Sequence, residues 1–113
     1  MKTPLLATAI TLFALPAFAE ATGAEIKAAI EGNTVQGGMD TGEAYSEFYE
    51  AGGEIKAEGY GGTWGIEGDT MCFDYGEGKN CWGVRIEGDQ VTWLLDGADD
   101  GTGTIVSGNP NNY

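Results

Sequence analysis

The segment Trp64-Gly65-Ile66-Glu67-Gly68-Asp69 is echoed downstream as Arg85-Ile86-Glu87-Gly88-Asp89, and both copies lie among short runs rich in aromatic and branched residues. Glycine adopts the positive φ that a two-residue hairpin turn requires, so each Gly-Asp pair reads as a tight turn between antiparallel strands. Such a turn also fixes register. Turning at Gly68-Asp69 sets Ile66 opposite Met71 and Trp64 opposite Phe73; turning at Gly88-Asp89 sets Ile86 opposite Val91, Val84 opposite Trp93 and Trp82 opposite Leu95. Between the hairpins, pairing Cys72 directly with Cys81 sets Met71 opposite Trp82 and Asp74 opposite Lys79, which joins both apolar sets on one face. A slip of one residue would scatter those side chains over two faces.

The expected result is a four-stranded antiparallel meander with a core face of Trp64, Ile66, Met71, Phe73, Trp82, Val84, Ile86, Val91, Trp93 and Leu95, and the two cysteines on the other face. The three tryptophans share their face with aliphatic residues, which favours a place in the core over a stacking platform for a ligand.

Upstream, Thr22 with Glu25 three residues on forms a capping box, and Ile26 and Ile30 follow one turn apart. This predicts a short amphipathic helix over 22–31, stopped by Gly32-Asn33. Thr34 to Met39, Tyr45 to Glu50, Glu54 to Tyr60 and Gly103 to Ser107 read as further strands, with Ala51-Gly52-Gly53 and Gly108-Asn109-Pro110 as turns. The fold class is therefore mostly β (α+β): one N-terminal helix and seven or eight antiparallel strands. They form a curved sheet or a small barrel, with the helix covering the apolar face or plugging one end, which limits exposed edges.

The N-terminus carries a different kind of signal. Met1-Lys2 supplies a positive end, Leu5 to Ala14 an apolar stretch, and Leu15-Pro16-Ala17-Phe18-Ala19 small residues where a signal peptidase reads them. Residues 1–19 are expected to be a cleaved secretory signal, leaving a single domain over 20–113 and no stable membrane anchor. The apolar run is shorter than the roughly 20 residues that span a bilayer. A periplasmic or secreted location is oxidising, and there Cys72 and Cys81 read as a disulfide that closes a short loop. Eight residues between them do not match the C-x-x-C spacing of a redox-active pair.

The expected mature part holds eighteen acids against Lys27, Lys56, Lys79 and Arg85, a formal net charge of −14. That field disfavours nucleic acid and anionic membranes as partners and favours a basic protein or a cation.

The chain has no histidine, which removes the commonest general base, the usual catalytic triads and most zinc sites. Ser46 and Ser107 stand in no nucleophile elbow, and no thiol is left free if the disulfide forms. No catalytic residue and no cofactor is implied. Asp96, Asp99 and Asp100, among threonines and glycines, are weak candidates for calcium. The spacing fails the helix-loop-helix pattern, with Ala98, Gly103 and Ser107 where an acid, an aliphatic residue and a glutamate are needed. Segment 96–104 reads instead as a solvated acidic loop between two strands.

The helix followed by Glu31-Gly32-Asn33-Thr34-Val35, then Tyr45-Ser46-Glu47-Phe48-Tyr49, Gly62-Thr63-Trp64-Gly65-Ile66, Met71-Cys72-Phe73, Cys81-Trp82-Gly83-Val84 and Gly108-Asn109-Pro110, together resemble a family of small, uncharacterised secreted proteins of alphaproteobacteria. The resemblance covers nearly all of 20–113 and implies an exported location, with no activity and no site residues. In size, disulfide and strand content the chain is also similar to periplasmic lysozyme inhibitors, but it lacks their Ser-x-Ser-Gly-x-x-Tyr stretch. The expectation is a non-enzymatic binding or interaction module of the cell envelope. The alternatives are an inhibitor of a basic hydrolase such as lysozyme, and a small hydrolase using a pair of carboxylates.

Overall fold

A computed structural model describes residues 19–113. The signal expected over 1–19 lies, except for Ala19, outside the described residues.

Helix α1 spans Gly23–Ile30. Its capping box forms as expected: the Glu25 amide donates to Thr22 Oγ1 at 3.2 Å, and the Thr22 amide to Glu25 Oε1 at 3.0 Å. Gly32, with φ +75°, turns the chain out of the helix. Eight strands follow: β1 Asn33–Met39, β2 Ala44–Tyr49, β3 Glu54–Lys56, β4 Gly61–Glu67, β5 Thr70–Asp74, β6 Lys79–Glu87, β7 Gln90–Leu95 and β8 Ala98–Val106. Each pairs antiparallel with the next, and β8 returns to β1, so the sheet is a closed barrel. Closure removes the free edges that would otherwise invite pairing between chains.

The hairpin registers are those the Gly-Asp turns dictate: Ile66 faces Met71, Trp64 faces Phe73, Ile86 faces Val91 and Val84 faces Trp93. Gly68 and Gly88 take φ +58° and +61°. The junction also forms as expected, with Met71 opposite Trp82, Asp74 opposite Lys79, and Cys72 bonded to Cys81.

Two expectations fail at the C-terminal end. Residues 96–104 are not a long loop: Asp96 and Gly97, with φ +50° and +80°, make a two-residue turn and β8 starts at Ala98. Asp-Gly is a preferred pair for the hairpin turn with positive φ at both positions, and it shortens the loop to the minimum. Leu95 is not core but 46% exposed; the β6–β7 ladder stops at Gly83 opposite Leu94, and the exposed turn begins directly after Leu95. Upstream, β3 ends at Lys56, so Tyr60 lies in the following loop rather than on a strand.

Alternation along the strands sends Val35, Ile55, Met71, Val84 and Val91 into the barrel, where they pack with Ile26 and Ile30 of α1. The helix closes that end. The Gly23 amide donates to Asp69 Oδ1 at 2.9 Å, and a Cβ on Gly23 would strike the Gly68 carbonyl, so α1 sits directly on the β4–β5 turn. The Ala21 amide donates to the Val84 carbonyl at 2.7 Å, on the part of β6 beyond that turn. In an up-and-down barrel the β1–β2, β3–β4, β5–β6 and β7–β8 connections gather at the opposite end, which no helix among the described residues covers.

Candidate functional site

The uncovered end opens into a cavity of about 570 Å³. Tyr45, Tyr49, Phe73, Trp82 and Trp93 line it from the strands, and Tyr60 and Tyr75 from the β3–β4 and β5–β6 loops. Three acids, Glu43, Glu47 and Asp100, complete the lining with Met39, Thr41 and Ala44; none of these residues is basic. An eight-stranded barrel has an interior wide enough either for side chains alone or for one small ligand. Here side chains fill the closed end, and the open end keeps its space.

Glu47 is the centre of the arrangement. Inward-facing positions on β2 fall at Tyr45, Glu47 and Tyr49, so strand alternation itself drives an acid into the barrel, where it is only 5% exposed. Three phenols meet it: Tyr49 donates to Oε1 at 2.7 Å, Tyr60 to Oε2 at 2.7 Å, and Tyr75 to both oxygens at 2.8 and 2.9 Å. A buried carboxylate is tolerable only when hydrogen bonds replace its water, and here tyrosine hydroxyls replace it. Burial, followed by the hydrogen bond and charge of Glu47, raises the Tyr60 pKa above the usual phenol value. For Tyr75 and Tyr49, burial and then the Glu47 charge act in the same direction. All three therefore stay protonated and donate throughout the neutral range.

A second chain of bonds ties the opposite wall. Trp93 Nε1 donates to Tyr45 Oη at 2.7 Å, and Tyr45 donates onward to the Thr102 carbonyl at 2.8 Å. Burial pushes Tyr45 up to about 12, against the indole N–H it accepts, with Glu47 adding to the rise. Phe73 is the hub of the rings, meeting Trp82 and Trp93 edge-on at 5.5 and 5.4 Å between centroids.

Asp100 reaches the cavity through a bulge. Trp93 pairs with Gly101 but Leu94 pairs with Asp99, so Asp100 is an extra residue on β8. Bulges re-aim side chains at barrel rims, and here the Asp100 carboxylate accepts Trp82 Nε1 at 2.9 Å.

The residues singled out from sequence are thus divided. Asp96 occupies the turn, Asp99 pairs with Arg85 at 3.5 Å, and Asp100 bonds Trp82, so the three calcium candidates have separate roles. Of the tryptophans expected in the core, Trp93 is buried, while Trp82 and Trp64 are only partly so. Trp64 donates its N–H to the Glu50 carbonyl at 2.9 Å, away from the cavity; Trp82 and Trp93 line it. Cys72, Cys81 and Glu67 lie together, but both sulfurs are consumed by the disulfide and Glu67 pairs with Lys79. Sequence reasoning missed Glu47, although its signal was present in the period-two spacing of Tyr45, Glu47 and Tyr49.

No helix among the described residues is long and apolar enough to cross a membrane. No family model, curated protein or solved structure matches this chain.

Proposed function

We propose that the protein is an exported, non-enzymatic binding module of the bacterial cell envelope that takes one small molecule into the open end of its barrel. The observation that carries this reading is the cavity of about 570 Å³ whose wall is mostly aromatic, opposite an end filled by α1. Ligand sites are concave, largely apolar and fitted with a few placed polar groups, and volumes of roughly 300–1,000 Å³ are usual for them. Periplasmic or secreted location is supported by the signal-like N-terminus and suited by the Cys72–Cys81 bond.

A carboxylate-dependent hydrolase is the poorer fit. Both Glu47 oxygens are taken up by phenol donors and Asp100 accepts an indole N–H, so both carboxylates are already engaged within the wall.

The test is titration of the disulfide-intact protein with an uncharged naphthylamine dye whose emission rises in apolar surroundings. Saturable uptake of one dye per chain, with quenching of tryptophan emission, is expected. Failure to saturate at high micromolar dye would overturn the reading. Export is checked separately: the full-length chain should yield an extracytoplasmic product beginning at Glu20.

A further inference from the structure

The lining of the cavity is one-sided in charge as well as apolar. Glu43, Glu47 and Asp100 face the same space, and no lysine or arginine among the described residues answers them there. The four basic side chains are engaged elsewhere: Lys27 with Glu31, Lys56 with Glu50 and Glu54, Lys79 with Glu67, and Arg85 with Asp99. None of those acids lines the cavity.

The polar ends of the rings are likewise engaged. Tyr49, Tyr60 and Tyr75 donate to Glu47, Trp82 donates to Asp100, and Trp93 donates to Tyr45. With their N–H and O–H groups taken, these rings have mainly carbon and π-electron surface to offer a ligand. Donation to a carboxylate also pushes electron density into the donor ring, which deepens the negative potential of its face. Electron-rich faces of Trp and Tyr are what attract cations, most strongly in a partly desolvated pocket.

We infer that the cavity is a receptor for a small organic cation, a substituted or quaternary ammonium with an apolar body; this rests on the small-molecule reading above. A neutral apolar ligand would use the rings and leave the carboxylates without a counter-charge. An anion would meet three acids and no basic group. An ammonium with alkyl substituents uses both, because its charge is spread over carbon-bound hydrogens that need no hydrogen-bond acceptor and lie flat against aromatic faces. The excess of acids over the whole chain adds a long-range attraction for such a ligand at low ionic strength.

The experiment uses the bound uncharged dye as reporter. Choline and benzyltrimethylammonium are compared as competitors with the neutral alcohol in which carbon replaces the nitrogen of choline, and with benzenesulfonate. The expected result is displacement by both ammonium compounds, with choline at least about tenfold tighter than its neutral isostere in low salt. Asp100→Asn, which keeps an oxygen for Trp82, should reduce that preference at least about threefold. Glu43→Gln, in the β1–β2 loop, is the second variant and should act in the same direction should Asp100→Asn fail to fold. Equal binding of choline and its isostere, preference for benzenesulfonate, or a bound dye that neither ammonium displaces would each overturn the cation inference and leave the small-molecule reading standing. Absence of dye uptake removes both.

Discussion

Trp82 Nε1 and the Asp100 carboxylate lie 2.9 Å apart because β8 carries one residue more than β7 offers to pair. The extra residue turns an acid that regular alternation would place elsewhere onto the cavity wall. Replacing Asp100 by Ala leaves a partly buried indole N–H without its acceptor, at a cost of about 1–2 kcal/mol. Asp100→Asn should cost less than half as much. Urea unfolding of the two variants beside the parent decides the matter, and equal losses would mean that the bond is not what stabilises this wall.

Glu47 concentrates more stability than any other polar residue at the open end. Glu47→Ala strands the hydroxyls of Tyr49, Tyr60 and Tyr75 at once, and a loss of about 3 kcal/mol or more is expected. Tyr60→Phe, on a half-exposed ring in a loop, should cost only about 0.5–1.5 kcal/mol. A Glu47→Ala loss no larger than that of Tyr60→Phe would show that the phenols find other partners.

Alkaline pH should unfold the barrel through the same groups. Tyr45 rises from 10.0 to about 12 on folding, chiefly through burial, and Tyr49, Tyr60 and Tyr75 are raised in the same direction. A group whose folded pKa exceeds its unfolded value gives stability that is complete below the unfolded value and lost as pH climbs through the folded one. Urea midpoints should hold steady below about pH 9.5 and fall steeply above pH 10, with the 295 nm phenolate signal appearing together with unfolding. Gradual phenolate formation in a chain that stays folded would contradict this.

Barrel closure sets its own requirement at Gly37. A Cβ there would come within 2.6 Å of Gly103 Cα, and closer still to the Thr102 carbonyl, both backbone atoms of β8 that cannot swing aside. Gly37→Ala should cost about 2–3 kcal/mol, whereas Gly65→Ala, which meets nothing within 4 Å, should stay within about 0.5 kcal/mol of the parent. Thermal melts of the pair give the comparison.

Removing the disulfide as Cys72→Ala with Cys81→Ala frees a short loop in the unfolded chain. The expected loss is about 2.5–3 kcal/mol on the chain-entropy view, read from urea unfolding. Because both hairpins are held by their own turns, the circular dichroism of the folded variant should match the parent.

How much of this was readable beforehand follows from how local each determinant is. The β4–β7 registers are set by two-residue turns, and a turn is a property of adjacent residues; hence Ile66, Met71, Val84 and Val91 fall where the pattern places them. Asp96-Gly97 carries the same kind of information, but its turn is masked by the acids that follow, since Asp96, Asp99 and Asp100 together have the composition of a solvated loop. The ring of donors around Glu47 is of another kind. Tyr60 and Tyr75 stand 13 and 28 positions from it, and only closure of the barrel brings their loops over the β2 residue. Strand alternation tells which side chains face inward, not whether they fill the space. The pattern assigns Trp82 to the inner face correctly, yet contains nothing about how far along the barrel α1 reaches.

The seam between β1 and β8 decides when the cavity exists. Thr34 Oγ1 donates to the Gly108 carbonyl, 74 positions away, and Tyr45 on the cavity wall is held by the carbonyl of Thr102 in the last strand. A chain clipped before β8 lacks the wall that carries Asp100 and Tyr45's acceptor. It is an unrolled sheet with two bare edges rather than a weaker cup. The cavity therefore arises in one step, when the last strand closes the barrel.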